Sequence, residues 1–347
     1  MNKIIEFLLQ HNETQSKLFC SPDIAGARRQ HRGRHDTEIA ALKCMDGRLN
    51  VSVCTKIPPG IIQPFRNLGG QFDVGWPFLN KLLLDWVTYV VSNGKNGVVL
   101  VTYHWSKGNQ HRGCAGFNYD TEAAKSYTAN LTRNIEKICG QRHAVIYPLH
   151  VGIETDEDAL VLHGSNGNAL NVADLTEATK DELRMHLQNC YPDMNDKMVQ
   201  DILPLLSGNQ HHILEVRQTQ RPLNDIEHRE CVLGIGRGFG WLHVLNKALL
   251  IGPFSPNLDE PIVKAAKILL DNLNEGRIPK EDGVALLSSA VFRDEAGFEP
   301  GFAAAKSNTL ADFALSVIKS EVPELYKYLH VLKGIVNQNT MLMTVIE

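Results

Sequence analysis

Apolar positions along the chain alternate between helical and strand spacing. Between residues 76 and 91, Leu79, Leu82, Leu83, Trp86, Val87 and Val90 recur three or four apart, which predicts an amphipathic helix ended by the stretch Asn93 to Gly97. Val98 to Val101 is a short unbroken apolar run, the pattern of a strand buried on both faces. Residues 121–139 return to the helical period. Residues 144–152 and 159–163 then read as two strands joined by the acidic turn Glu154-Thr155-Asp156-Glu157-Asp158. Helix alternating with strand in this way predicts an α/β fold. The first ten residues read as a short amphipathic helix, residues 11–36 as a polar loop or capping segment, and residues 37–44 as a buried strand. Residues 171–207 read as solvated helix. The polar stretch 208–229 marks a boundary, after which 231–236 predicts a fresh strand and 261–274 a helix.

Composition narrows the picture only a little. A length of 347 residues favours two domains, and 43% apolar with 21% charged residues is the balance of an ordinary globular protein. A net charge of -4 gives no reason to expect nucleic acid or a membrane surface as a partner. The basic cluster from Arg28 to His35 reads either as a solvated segment or as a contact for an anion or partner. No run approaches the roughly 20 apolar residues of a membrane span. Glu6 interrupts the apolar start and no small-residue cleavage site follows, which argues against a secretory signal. Seven cysteines, an odd number widely spread, suggest reduced thiols in a cytosol; Cys54, Cys139, Cys190 and Cys231 read as packing residues.

Cys44 and Cys114 are the exceptions. Cys44-Met45-Asp46-Gly47-Arg48 places a carboxylate and a guanidinium two and four residues after a thiol, with Gly47 permitting a sharp turn. The run from Val98 to Tyr103 leads straight into His104, and His111-Arg112-Gly113-Cys114-Ala115-Gly116 follows. Two thiolates and an imidazole are soft ligands suited to zinc. Three protein ligands leave tetrahedral zinc one open position, where a water becomes a hydroxide. A closed structural site has no use for the Asp46 and Arg48 pair.

Cys-x-Asp-x-Arg and a His/Cys pair after a strand are similar to the motifs of the β-class carbonic anhydrases. The likeness extends to the carboxysome shell branch of that class through Gly70-Gln71-Phe72-Asp73-Val74, Val101 to His104, Gly113 to Ala115, Ile153 to Ala159 with His163, and Leu233 to Phe239. It covers roughly residues 40–245. The resemblance implies a β-carbonic-anhydrase-like sheet flanked by helices, with a degenerate second copy as the C-terminal domain. The expected division is a segment 1–36, a catalytic zinc domain 37–225 and a degenerate domain 226–347. It implies Zn2+ on Cys44, His104 and Cys114, with Asp46 and Arg48 catalytic. Ordinary β-class spacing selects His111 as the ligand, whereas the shell branch selects His104; a rigid strand end serves metal geometry better than a Gly-rich insertion. No second Cys-x-Asp-x-Arg follows residue 200, so one zinc per chain is expected.

The implied activity is reversible hydration of carbon dioxide to bicarbonate by a zinc-bound hydroxide, in a homo-oligomer without nucleic acid or membrane partners. Hydrolysis of carbonyl sulfide or carbon disulfide on the same fold, and a non-catalytic scaffold with a structural zinc, are the alternatives. The shell enzyme carries a longer N-terminal extension than the 43 residues before Cys44, so a cytoplasmic location is expected ahead of a carboxysome. Phe72, Trp76 and Trp105 read as walls of an apolar substrate site or as core. Gly234 to Gly238 matches neither phosphate-loop spacing and reads as structural.

Overall fold

Strands buried on both faces and helices buried along one stripe account for most of the chain. The computed structural model describes residues 2–139, 145–242, 244 and 246–347, with residue 223 described by its backbone alone. In chain order the elements are α1 (Lys3–Cys20), α2 (Pro22–Arg34), β1 (Glu38–Cys44), α3 (Val51–Cys54), β2 (Ile62–Asn67), α4 (Pro77–Ser92), β3 (Gly97–Trp105), α5 (Thr121–Cys139), β4 (Ile146–Glu154), β5 (Ala159–His163), β6 (Ala169–Asn171), α6 (Lys180–Cys190) and α7 (Asp196–Thr219). They continue as β7 (Val232–Gly236), β8 (Ala248–Ile251), α8 (Asp259–Asn274), β9 (Val284–Phe292), α9 (Glu299–Glu321), α10 (Pro323–Tyr326), β10 (Leu329–Asn337) and β11 (Met343–Val345). Ala144, the first residue of one expected strand, lies outside the described residues. No helix among the described residues is long and apolar enough to cross a membrane.

The chain divides into two compact units. One comprises Gly26–Cys44 and Leu49–Ile226, the other Met1–Ala25, Met45–Arg48 and Glu227–Glu347. In the first, six strands form a sheet in the order β2-β1-β3-β4-β5-β6. β1, β2, β3 and β4 run parallel and β5 turns back antiparallel on β4. In the second, five strands lie in the order β11-β10-β9-β7-β8, parallel from β8 through β10 with β11 antiparallel. Read from the other edge, β8-β7-β9-β10-β11 repeats the connectivity and sense of β2-β1-β3-β4-β5. The molecule is therefore α/β with the same sheet topology used twice, as a second, degenerate copy requires.

Three expectations need correction. The N-terminal helix is not short: α1 runs to Cys20, and α2 follows where a loop was expected. Its buried stripe of Ile4, Leu8, Asn12, Ser16 and Phe19 keeps a helical period, but two of its members are polar and hide it from a hydropathy reading. Those two are satisfied: Asn12 donates to Met341 O and accepts from Met343 N, and Ser16 donates to Thr340 O. Ile4 and Leu8 pack with Val232, Trp241 and Leu250, so α1 is part of the second unit rather than a segment of its own. The region 171–207 is not solvated either, because α7 buries Met198, Val199, Ile202, Leu203, Leu205 and Leu206; α7 continues to Thr219, and the two units divide after Ile226, within the polar stretch 208–229. Gly47 lies in a turn, as expected, and also permits close approach, since a Cβ there would stand 2.4 Å from Ala248 O.

Candidate metal centre

Each ligand-bearing segment is fixed by elements already buried. β1 lies between β2 and β3 and is buried from Ile39 to Cys44, so its last residue is delivered at the carboxyl end of a central strand. His104 is the penultimate residue of β3, pairs across the sheet with Ile153 of β4, and is 1% exposed. Cys114 sits at the far end of a nine-residue loop, immediately before a single turn of 3-10 helix at Ala115–Phe117. Its carbonyl accepts from Phe117 N and Tyr119 N. Ends of parallel strands in open sheets are where sites form, because the chain diverges there.

Glycines bring the segments into contact. Gly69 and Gly70, just after β2, both take positive φ, which favours glycine. A Cβ on Gly70 would meet Thr102 O at 2.9 Å, and one on Gly116 would meet Gly69 N at 2.6 Å. The turn after β2 thus packs on β3 from one side and receives the Cys114 loop on the other. Gln71 Nε2 donates to Gly116 O at 3.2 Å, and Asn67 Nδ2 donates to Gln71 O. Gly70 therefore acts through its backbone.

The result is a buried trio. Ligand atoms of Cys44, His104 and Cys114 all lie within 4.8 Å of one another, the one such group of three among the described residues. The two Sγ atoms are 3.9 Å apart, far beyond the roughly 2.05 Å of a disulfide. Both ring nitrogens of His104 are buried without a hydrogen-bond partner in the protein. An orphaned imidazole facing two thiols is costly in a core unless something else binds it, and two sulfurs with one nitrogen are the donor set zinc favours. The residues fit the metal. His111, by contrast, is exposed, with its ring edge-on to Tyr119 at 5.1 Å.

The face of β3 opposite His104 carries a different cluster, since neighbouring residues of a strand point to opposite sides. Tyr103 stacks with Trp105 at 5.3 Å, its hydroxyl lies 2.8 Å from His163 Nε2, and His163 lies 4.9 Å from His150 ring to ring. Trp105 is therefore part of this layer and not a wall beside His104. Burial pulls the imidazole pKa of His150 down to about 3 and that of His163 to about 4. Phe72 is buried, Trp76 only partly so.

Asp46 and Arg48, which belong to the second unit, are each 4% exposed and bound to each other. Arg48 Nε donates to both carboxylate oxygens at 3.0 Å, Nη2 donates to Oδ2 at 2.5 Å, and the Arg48 backbone N donates to Oδ1 at 2.9 Å. A bidentate guanidinium fixes both the charge and the aim of a carboxylate. His228 escaped the sequence reading because it lies 182 residues from Asp46. It sits in the fields of both Arg48 and Asp46 and 2.9 Å from Glu230 Oε1; burial opposes its protonation, but Glu230 outweighs that and raises its pKa. Lys43, beside Cys44, is fully buried with Nζ donating to Leu49 O at 2.6 Å. Burial, then the Arg66 charge, holds its pKa well below the usual lysine value.

No curated protein matches the sequence. Among solved structures, the chain is similar to the β-carbonic anhydrase CcaA, with a TM-score of 0.35 and 12% identity over 49% of this chain and 100% of that one. It is also similar to a carbonic anhydrase from Streptococcus mutans, with a TM-score of 0.25 and 16% identity over 43% of this chain and 95% of that one. The sequence model of the carboxysome shell carbonic anhydrase catalytic domain matches residues 30–195, a stretch that holds all three members of the buried trio. Over residues 30–195, just under half of its length, the chain is thus similar to the catalytic domain of the carboxysome shell carbonic anhydrases.

Proposed function

We propose that the enzyme catalyses the reversible hydration of carbon dioxide to bicarbonate, with one zinc per chain held by Cys44, His104 and Cys114. The observation that carries this reading is the buried trio with both nitrogens of His104 unbonded. When bound, such a metal supplies Lewis acidity that brings the pKa of a water near 7. The protein's own groups do the rest. The two cysteines enter as thiolates, and their negative charge balances the cation in a buried site. Asp46 follows Cys44 by two residues, a chain distance of at most about 7 Å. Held in place by Arg48, its carboxylate would accept a hydrogen bond from the attacking oxygen and so leave a lone pair of that oxygen directed at the carbon of the substrate.

Carbon dioxide and bicarbonate are the substrate pair under this reading, and self-association is an expectation resting on the family alone. The test is a stopped-flow hydration assay on the purified protein together with its zinc content. Activity that follows zinc occupancy supports the proposal. A zinc-loaded protein that hydrolyses carbonyl sulfide but leaves carbon dioxide untouched sinks it.

A further inference from the structure

His104 and Cys114 are separated by nine residues that include three glycines or asparagines with little shape of their own, yet a tetrahedral site tolerates only small errors in ligand position. Something outside the loop must set its course. The acidic turn that joins β4 to β5 binds the start of the loop at four successive residues. Thr155 N and Oγ1 donate to Trp105 O at 2.8 and 3.0 Å. Ser106 Oγ donates to Asp156 Oδ1 at 2.7 Å, Lys107 N to Glu154 Oε1 at 3.0 Å, and Gly108 N to Asp156 Oδ2 at 2.6 Å. Arg112, two residues before Cys114, places Nη1 3.4 Å from Asp156 Oδ1.

The turn is itself held. Glu154, 1% exposed, also accepts from Asp156 N and Glu157 N, each at 3.1 Å, which fixes the turn's own backbone. From the far side, His212 Nε2 lies 2.9 Å from Asp158 Oδ2, Arg217 grips Glu157, and Arg221 binds Asp158 Oδ2 together with Thr155 O and Asp156 O. The space is equally constrained: a Cβ on Gly108 would stand 2.8 Å from Asp156 Oδ2. A line of hydrogen bonds therefore runs from α7 through the acidic turn into the loop that ends at Cys114.

We infer that Asp156 and Glu154 are positioning residues for the metal centre, fixing the path between His104 and Cys114 without touching the metal. The inference rests on the proposed zinc site. Outer groups that orient ligands typically carry a factor of about 10 to 100 in metal affinity. In the full-length zinc protein, Asp156→Ala should release zinc to a chelating dye about tenfold faster or more. In the cobalt-substituted protein it should alter the thiolate charge-transfer and visible bands, while Asp156→Glu restores part of both. A role confined to stability would lower the melting temperature and leave the cobalt spectrum unchanged. Arg217→Gln, which touches only the outer end of the line at Glu157 and Ala173, should leave the cobalt spectrum as it is.

If Asp156→Ala does not fold, Gly108→Ala displaces the same carboxylate and is measured instead. Wild-type release rates and spectra in these variants, in a protein that holds one zinc, would overturn the inference alone. Zinc binding that persists undiminished in Cys44→Ser would overturn the underlying site instead.

Discussion

The two sheets share one topology and differ at the ends of their equivalent strands. In the first, β1 ends in Cys44 and the penultimate residue of β3 is His104; in the second, β7 ends in Gly236, is followed by Arg237, and the penultimate residue of β9 is Val291. A thiol and an imidazole are thus replaced by a guanidinium and an isopropyl group. Arg237 is buried enough that its pKa drops to about 10, with Arg293 adding repulsion. A guanidinium there repels a cation, and among the described residues the second unit holds no trio like that of Cys44, His104 and Cys114, while its strands keep their packing. Scaffold and candidate chemistry are therefore separable: the strands Val284–Phe292 and Gly97–Trp105 are equally buried, and the difference lies in the residues at the strand ends.

The largest expected effect tests that separation directly. Cys44→Ser or Cys114→Ser should strip the zinc and lower the hydration rate by about 10³-fold or more, whereas Cys231→Ser, just before β7, should leave one zinc per chain. Elemental analysis of the purified variants decides it. A smaller loss is expected from Asp46→Asn, which should retain zinc and lose about 10²-fold in rate, because the carboxylate orients rather than ligates. Full activity in that variant would remove Asp46 from the mechanism.

Two further comparisons concern stability. Gly116→Ala puts a Cβ 2.6 Å from Gly69 N, so about 1–3 kcal/mol of destabilisation is expected in thermal unfolding. Gly301→Ala in α9 of the second unit meets nothing within 4 Å and should be neutral or stabilising by about 0.5–1 kcal/mol. Equal responses would show that the glycine contacts around the trio carry no special weight. The smallest effect is a pH slope. His150 and His163 have folded pKa values of about 3 and 4, below the roughly 6.5 of an unfolded chain, so the unfolded state binds more protons between those limits. Stability should therefore fall as pH drops from about 6.5 towards 4, and His163→Phe should flatten that slope in denaturant titrations.

Most of the parallel strands were legible because burial on both faces leaves unbroken apolar runs, and the members of the buried trio were legible because sulfur and imidazole at strand ends have few other uses. Helix α5 coincides with residues 121–139 because its buried stripe, Ala124, Thr128, Leu131 and Ile135, is largely apolar. What stayed hidden was set by tertiary partners. Asn12 and Ser16 look solvated until Met341, Met343 and Thr340 arrive from more than 320 residues away. The acidic turn looked like a simple connection, because its bonds to residues 106–108 exist only once β3 and β4 are side by side. Gly47 was legible as a turn but not as a close contact for the same reason: Ala248, which leaves no room for a side chain there, is 201 residues distant.

The segment from Met45 to Arg48 also closes the outer edge of β8. Asp46 bridges antiparallel to Leu249, Leu250 N donates to Met45 O at 2.7 Å, and Gly47 N donates to Ala248 O at 2.9 Å. An uncovered strand edge is a template for another chain. The residues that carry the carboxylate and its arginine are thus also the guard against edge-to-edge self-association in the second sheet. Any substitution that shifts this stretch, a side chain at position 47 above all, exposes unpaired backbone groups, and the damage is read in light scattering as well as in turnover.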